Sequence, residues 1–415
     1  MMTEIDADRL WADIMALAAI TDPDQPWTRC SFTPRFREGR AWLAARLAEA
    51  GLDVRLDAAG NLSGRRGPAG ARTVLIGSHT DTVPGGGRFD GIAGVAAALE
   101  VARALAGRPL NHALEVVDYL AEEPSVFGLS CVGSRAMAGK LDDAMLAFTG
   151  PDGGTLAQAI RGVGGSPEHI AAARRHDIAL ALELHIEQGR VLESAGVVLG
   201  IVSAIVGIAR VEIRFEGAAD HAGTTPMDLR RDAMVPAAET IGAVSALARE
   251  YAMAGHGHFV ATTGVVEVTP NAANVVPGMV RMIVEVRAET ASRIEDFLIR
   301  LAALSRDAAA RHRVTRPVFR TLSRTDPVAC DADLRALLRD AAHLRGTSTM
   351  DLASGAGHDT AFIAAIAPAA MVFVPSKDGR SHAPEEWSDR ANIAAGAEAM
   401  LGAILAFDAR PIHRK

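Results

Sequence analysis

The sequence predicts an α/β protein with a central, mostly parallel mixed sheet flanked by helices and an inserted two-layer α+β domain. Short apolar runs at 73–77 and 113–120 have the composition of buried strands, and a helical pattern at 91–106 lies between them. This β-α-β order is typical of a parallel sheet. The length of 415 residues allows two domains, and the pattern of apolar residues changes after about residue 205.

The elements on either side of this unit continue the α/β pattern. Amphipathic helix patterns cover residues 5–20 and 37–50, and Gly51 fits the C-terminal cap of the second helix. Another buried strand is predicted at 179–185. From about residue 325 the α/β pattern resumes, with a helix at 331–345, a strand at 370–374 and a helix at 390–407.

The segment between these two parts alternates apolar and polar residues, as half-exposed strands do. Strands are predicted at 208–217, 258–268 and 279–287, and helices at 231–252 and 290–312. We therefore expect residues 1–206 and 323–415 to form one α/β domain, and residues 207–322 to form the inserted α+β domain.

Composition excludes several functional classes. The net charge is −7 and no basic block is present, which argues against a nucleic-acid partner. The N-terminus lacks a signal-peptide layout and no apolar run has membrane-spanning length, so we expect no membrane partner. The three cysteines (Cys30, Cys131 and Cys330) have no CxxC spacing, which fits a reducing cytoplasm.

The most informative segment, residues 77–94, reads GSHTDTVPGGGRFDGIAG. His79 and Asp81 stand where a buried strand ends, and Asp90 follows a glycine-rich turn. Ligands of open α/β sheets collect at the carboxyl ends of strands, and imidazole with carboxylate suits a divalent metal. A glycine-rich turn with a capping aspartate is the alternative interpretation.

Three further segments place similar side chains after predicted strands. Glu122 and Glu123 follow the strand at 113–120, His185 stands in ELHIEQG, and His382 stands in PSKDGRSHAP. Each taken alone could be a solvated acidic loop or a structural histidine. Because all of them follow sheet strands, we expect them to meet at one edge and to hold two divalent ions about 3.5–4 Å apart. Such a site accepts Zn, Mn, Co or Ni.

Strand alternation also places Glu183, His185 and Glu187 on one face. Glu183 or Glu187 is therefore expected to orient the His185 imidazole.

The inserted segment has polar positions of its own. DHAGTTP at 220–226 follows an exposed strand, PNAANVVP at 270–277 connects two strands, and Arg287 ends the strand MIVEVR. Histidine, asparagine and arginine could bind an oxyanion and a carboxylate. Ordinary turns and a surface arginine would give the same pattern.

Together these segments resemble the binuclear-metal aminoacylase/carboxypeptidase-type amidohydrolase superfamily, and within it the hydantoinase/carbamoylase branch. The matching stretches span residues 77 to about 387 in family order. They are GSHTDTVPGGGRFDGIAG, EEPSVFGLSCVGSRAMAG, ELHIEQGRVLE, DHAGTTPMDLRRDA, PNAANVVPG, SGAGHDTAF and FVPSKDGRSHAPEEW. HIEQG together with HAGTTPM is typical of this branch rather than of the peptidases.

The resemblance implies a role for each of these positions. The implied metal ligands are His79, Asp90, Glu123, His185 and His382, with Asp90 bridging two ions. Glu122 resembles the general base, Asp81 the residue that orients His79, and Gln188 a contact to the ureido or amide group. His221 would act across a homodimer in the partner's active site, and Asn274 and Arg287 would bind the substrate carboxylate.

The implied activity is metal-dependent hydrolysis of a linear C–N bond. The leading hypothesis is conversion of an N-carbamoyl-L-amino acid to the amino acid, CO2 and NH3. Allantoate or another ureido acid is the first alternative substrate, and an N-acyl or peptide substrate is the second. A metal-binding scaffold without activity is disfavoured by the presence of Glu122 and all five ligands. One departure concerns the substrate: where the family often reads EEGSRF, this chain has Pro124 and Val126.

Overall fold

The computed structural model describes residues 4–410, and the chain divides into two compact units. Unit 1 comprises the chain up to Ser203, Cys330–Asp351 and the chain from His358 onward. Unit 2 comprises Ala204–Ala329 and Leu352–Gly357. The roles expected for these parts, catalysis and dimerisation, stay predictions.

The strands of the described chain form two sheets. They are β1 (Asp53–Leu56), β2 (Leu62–Arg66), β3 (Thr73–His79), β4 (Ala113–Tyr119), β5 (Ile178–Ile186), β6 (Leu199–Ile205), β7 (Gly207–Glu216), β8 (Phe259–Thr269), β9 (Met279–Ala288), β10 (Val318–Thr325), β11 (Val328–Ala329), β12 (Thr349–Ser354) and β13 (Ala369–Val374). The larger sheet has the order β1-β2-β4-β3-β5-β13-β6-β11, with β12 paired to β6. The smaller sheet has the order β10-β7-β9-β8.

The larger sheet is mixed, as predicted, with a parallel centre. Strands β4, β3, β5 and β13 pair in parallel, whereas the outer pairs β1-β2, β2-β4, β13-β6 and β6-β11 are antiparallel. The four central strands are buried along their whole length because helices cover both faces. Their carboxyl ends therefore lie at one edge of the sheet.

The described part of the chain contains twelve α-helices. They are α1 (Ala7–Ala19), α2 (Pro34–Glu49), α3 (Ile92–Ala104), α4 (Val132–Met137), α5 (Asp143–Leu146), α6 (Leu156–Gly162), α7 (Val191–Ala195), α8 (Met234–Met253), α9 (Ala291–Arg311), α10 (Ala332–His343), α11 (Thr360–Ile363) and α12 (Arg390–Asp408). Local sequence explains several helix starts: Asp6 caps α1, Thr33 caps α2 with Pro34 in the first turn, and Asp331 caps α10.

Helix α12 is long and apolar enough that its length and composition would also suit a membrane span. Half of its most apolar window is buried within the protein, where the helix packs against α10, α3 and β13. Packing in the protein core accounts for the apolar composition of α12. The composition is therefore weak evidence for a membrane segment.

Unit 2 contains the four-stranded antiparallel sheet and two long helices, α8 and α9. Buried apolar side chains of β7 and β9 pack against the two helices around Phe215, Phe259 and Phe297. Strand β8 lies at one edge of this sheet and is mostly exposed. The period-2 burial of β7 and β9 is the reason that the sequence pattern revealed these strands.

Candidate metal centre

Unit 1 brings the five predicted metal ligands together at the carboxyl edge of the sheet. His79 is the last residue of β3, and His185 lies next to the end of β5. Glu123 follows β4 by four residues, His382 stands in the loop after β13, and Asp90 precedes α3. The parallel order of the central strands produces this convergence, since all of their carboxyl ends meet here.

The first group consists of His79, Asp90 and His185, whose candidate ligand atoms lie within 4.8 Å of one another. Asp90 Oδ1 is 3.2 Å from His185 Nε2 and 3.6 Å from His79 Nε2. All three side chains are buried, and neither Nε2 atom forms a hydrogen bond with the residues that the structure describes. Buried polar atoms without partners are costly, so this geometry favours a bound cation.

The second group consists of Asp90, Glu123 and His382. His382 Nε2 lies 3.0 Å from Asp90 Oδ2 and 3.0 Å from Glu123 Oε1. Asp90 thus presents one carboxylate oxygen to each group, which is the arrangement of a bridging ligand. His382 differs from the other four residues because its side chain is about half exposed.

Neighbouring charges shift the pKa values of several groups in the cluster. Burial opposes charge on Asp90, but the three imidazoles around it hold the pKa of its carboxyl well below its ordinary value. Hydrogen bonds to Asp90 and Glu123 raise the pKa of His382 to about 10. The two groups together offer three imidazoles and two carboxylates, a mixed nitrogen and oxygen donor set that suits a divalent cation.

His79 and its neighbours are held by Asp81. His79 Nδ1 is 3.0 Å from the Asp81 carbonyl oxygen and 3.5 Å from the Asp81 carboxylate. That carboxylate accepts the backbone N–H groups of Glu122 and Glu123 at 3.3 and 3.2 Å. Asp81 therefore links the end of β3 to the loop that follows β4.

The prediction that Glu183 or Glu187 orients the His185 imidazole is wrong. His185 Nδ1 lies 3.0 Å from the carbonyl oxygen of Ile186, so a backbone group holds this ring. The Glu183 carboxylate accepts the hydroxyls of Ser78 and Thr360 at 2.7 and 2.6 Å. Glu187 turns away, because its carboxylate accepts backbone N–H groups in the first turn of α7.

Glu122 stands beside the first group. One carboxylate oxygen, Oε2, is 3.7 Å from His79 Nε2, and Oε1 is 3.6 Å from the Cys131 thiol. Burial raises the pKa of Glu122 well above its ordinary value, against the opposing effect of nearby His79. Burial also raises the pKa of Cys131, so the thiol stays protonated and can donate to Oε1. Oε2 is then the oxygen that faces the cluster.

Gln188 also reaches the cluster. Its side-chain amide donates to Asp90 Oδ2 at 2.8 Å and lies 3.3 Å from the Ser381 hydroxyl. The backbone of Gln188 has a φ of 59°, and its N–H donates to Ser376. The structure therefore places this predicted substrate contact against the Asp90 carboxylate.

The remaining predicted residues lie in unit 2. His221 forms an isolated antiparallel bridge with Val275, and the Ala222 N–H donates to the Asn274 carbonyl, so these two loops are adjacent. His221 and Asn274 are both exposed. Arg287 on β9 donates to Glu285 at 2.8 Å and to the Gly355 carbonyl at 2.6 Å.

Sequence reasoning missed two features near the cluster. His358 and Glu183 form a further group with His185 whose ligand atoms lie within 4.8 Å, and the rings of His358 and His185 meet edge to face at 4.6 Å. Glu386 is fully buried next to Asp90. Both residues lie inside matched segments, SGAGHDTAF and FVPSKDGRSHAPEEW, but no spacing rule distinguishes them from their neighbours.

Comparison with known proteins agrees with this geometry. The family model for peptidase family M20/M25/M40 matches residues 75–406. An N-carbamoyl-L-amino acid amidohydrolase of Geobacillus stearothermophilus is 38% identical, over 96% of this chain and 98% of the relative. An allantoate amidohydrolase of Bacillus subtilis is 33% identical, over 90% of each. The solved structure of a hydantoinase/carbamoylase family amidase from Burkholderia multivorans has a TM-score of 0.85 and 35% identity, covering 99% of each chain.

Proposed function

The chain belongs to peptidase family M20/M25/M40 and is an amidohydrolase of its hydantoinase/carbamoylase type, and from this premise we propose its substrate and the roles of its site residues. We propose that it hydrolyses an N-carbamoyl-L-amino acid to the amino acid, CO2 and NH3. The observation that carries this is the Asp90 carboxylate shared between two ligand groups beside Glu122, in a chain closely similar to an N-carbamoyl-L-amino acid amidohydrolase.

The family is metal-dependent, and the donor set fits a divalent metal. His79, Asp90 and His185 would hold one ion, and Asp90, Glu123 and His382 would hold a second. Imidazole nitrogens with carboxylate oxygens suit Zn, Mn, Co or Ni. When bound, the ions would polarise the substrate carbonyl and lower the pKa of water.

Glu122 is proposed as the general base. Its Oε2 faces the ligand groups, whereas Oε1 is engaged by the Cys131 thiol. Oε2 would accept a proton from the attacking water and later return it to the leaving nitrogen. A raised pKa suits both halves of this task, because the carboxyl must hold the proton between the two transfers.

The substrate would be held at both ends. The Gln188 amide, which lies against Asp90, is proposed to contact the ureido group. Asn274 and Arg287 are proposed to bind the substrate carboxylate. Because Arg287 already donates to Glu285 and Gly355, a two-point carboxylate contact would displace at least one of these partners.

A homodimer formed through unit 2 is proposed as the active species, with His221 stabilising the oxyanion in the partner's site. Strand β8 supports this, because its outer edge has no neighbouring strand in the described sheet. Val260, Val265 and Val266 are 43%, 37% and 46% exposed along it. An exposed apolar edge strand is aggregation-prone unless a partner covers it. We also propose a cytoplasmic location, consistent with the unpaired Cys30, Cys131 and Cys330.

Allantoate is the second candidate substrate, favoured by the Bacillus subtilis relative. Both substrates carry a ureido group and a carboxylate, so the proposed contacts serve either. Val126, which is 65% exposed, and the exposed Pro124 stand where the family often has Arg and Gly, and they would alter the pocket rather than the chemistry. N-acyl and peptide substrates are third, and the complete ligand set with Glu122 disfavours a non-catalytic scaffold.

The deciding experiment measures ammonia release by metal-replete protein. The substrates are N-carbamoyl-L- and D-amino acids, N-carbamoyl-β-alanine, allantoate and ureidoglycolate, with amino-acid release followed for N-acetyl amino acids and dipeptides. Chelator-treated protein is the control. We expect chelator-sensitive turnover of N-carbamoyl-L-amino acids; turnover of acyl or peptide substrates alone would contradict the proposed substrate, and silence throughout would contradict the activity.

A further inference from the structure

Two loops of unit 1 that are nearly 300 residues apart in sequence meet at Glu386. Its Oε1 accepts the backbone N–H of Phe89 at 2.7 Å and that of Asp90 at 3.1 Å. Its Oε2 accepts the hydroxyl of Ser381 at 2.9 Å. Ser381 precedes His382, so one carboxylate connects the loop carrying Asp90 to the loop carrying His382.

The same hydroxyl of Ser381 also lies 3.1 Å from Asp90 Oδ2. A hydroxyl has one proton and can donate to only one carboxylate at a time. The Gln188 amide already donates to Asp90 Oδ2 at 2.8 Å, so the Ser381 proton can be directed to Glu386. The Gln188 amide also lies 3.3 Å from the Ser381 oxygen, to which its second N–H can donate. Glu386, Ser381 and Gln188 thereby form consecutive hydrogen bonds that link the backbone of Asp90 to its carboxylate.

The surroundings of Glu386 are built for this contact. Glu386 is 0% exposed, and the rings of Phe89 and Trp387 meet beside it with centroids 5.5 Å apart. Gly87 has a φ of 114°, and a Cβ there would lie 2.3 Å from Glu386 Oε1. A buried carboxylate that receives three hydrogen bonds holds its donors more firmly than a solvated one, because water does not compete for them.

We infer that Glu386 is a positioning residue that fixes Asp90 and His382 relative to each other and thereby sets the metal affinity of the second ligand group. This inference rests on the proposed metal site. Residues that hydrogen-bond to metal ligands typically change metal affinity about 10- to 100-fold when removed. The adjacent Glu385 provides a matched control, since its side chain is 63% exposed and its ion pair is with Arg380.

The test is a chelator-competition titration with Zn²⁺ and with Mn²⁺ alone, on the full chain. E386A is expected to bind both metals about 10- to 100-fold more weakly than the wild type, with an unchanged far-UV spectrum. E386Q keeps an oxygen that can accept the Phe89 and Asp90 N–H groups, so it is expected to recover most of the loss. E385Q should match the wild type.

The outcomes separate this inference from the proposed function. A folded E386A with wild-type metal affinity would overturn the positioning role alone, whereas failure of the wild type to bind either metal would overturn the metal site and this inference with it. If E386A does not fold, the metal affinities of S381A and E386Q decide whether Glu386 has a positioning role. S381A is expected to weaken metal binding by about three- to tenfold and E386Q by less. The double variant should bind no more weakly than S381A alone, because both substitutions break one link. Wild-type affinity in both single variants would overturn the inference.

Discussion

Replacing Gly91 by alanine should disable the ligand cluster without unfolding the protein. Gly91 separates Asp90 from α3 and has a φ of 64°. A Cβ at this position would lie 2.5 Å from both His79 Cε1 and His79 Nε2, and 2.5 Å from the His79 carbonyl oxygen. Ordinary contact begins at 3.4 Å, so the ring and the backbone carbonyl of His79 would both have to retreat by about 0.9 Å.

The contacts of His79 with Asp81 and His185 oppose this displacement. His79 Nδ1 is 3.0 Å from the Asp81 carbonyl, and its ring stacks on the His185 ring with centroids 5.7 Å apart. A misplacement of about 1 Å in a catalytic constellation costs about 100-fold in rate, or about 2.7 kcal/mol of transition-state stabilisation. We therefore expect G91A to lose about 100-fold in kcat/KM for N-carbamoyl amino acids, together with weaker metal binding.

Gly107 provides the control. Its φ is 75°, but a Cβ there would meet nothing within 4 Å. Both variants share a backbone cost of about 1–2 kcal/mol for alanine at positive φ, measurable as a shift in the urea midpoint. Only G91A should lose activity and metal affinity. Equal kinetics in G91A and the wild type, or equal losses in G91A and G107A, would refute the steric reasoning.

Three further predictions concern catalysis, assembly and acid stability. E122Q should lose about 10²- to 10⁴-fold in kcat while retaining its bound metal by elemental analysis; retained turnover would exclude Glu122 as the base. Equal amounts of E122Q and H221A, each inactive alone, should recover about one quarter of wild-type activity after subunit exchange. Half of the proposed homodimers would then be mixed, and each mixed dimer would hold one complete site. No recovery would place His221 in its own subunit's site. Hydrogen bonds from Arg175 hold the pKa of Asp177 well below its ordinary value, so this carboxylate stabilises the fold above pH 4 and loses its effect as the pH falls toward its folded-state pKa. Because the Asp177 side chain is partly exposed, D177N should lower the free energy of unfolding, measured in urea at pH 7, by about 1 kcal/mol at most. The loss should be smaller at pH 3.5, and an equal loss of unfolding free energy at both pH values would contradict this reasoning.

The parts of the fold that were predictable are those in which burial forces a pattern. Strands β3 and β4 are buried on both faces, so their sequences are apolar throughout, and β7 and β9 are buried on one face, so theirs alternate. Strand β2 reads LSGRR and shows neither pattern. Its place depends on antiparallel pairing with β1 and β4, which no local signal reports.

The site divides in the same way. Parallel order alone predicts that His79 and His185 converge, because both stand at strand ends. The hydrogen-bond partners of the site residues were harder to predict from the sequence. Glu187 caps α7 and does not orient His185, since the N-terminus of a helix competes for the same carboxylate. Glu385 and Glu386 are equivalent in sequence, and only the fold distinguishes the exposed from the buried one.

The central place of β13 has a consequence for biosynthesis. Strand β5 pairs with β3 on one side and with β13 on the other, yet roughly 190 residues separate the end of β5 from the end of β13. At about 5–20 residues per second, the ribosome needs roughly 10–40 s to supply the missing strand. During that time the apolar edge of β5 is open to other nascent chains. We expect nascent chains whose synthesis is arrested after residue 205 to aggregate. Full-length chains synthesised at the same rate should stay in solution. The soluble yield would then depend on translation speed rather than on the stability of the finished protein.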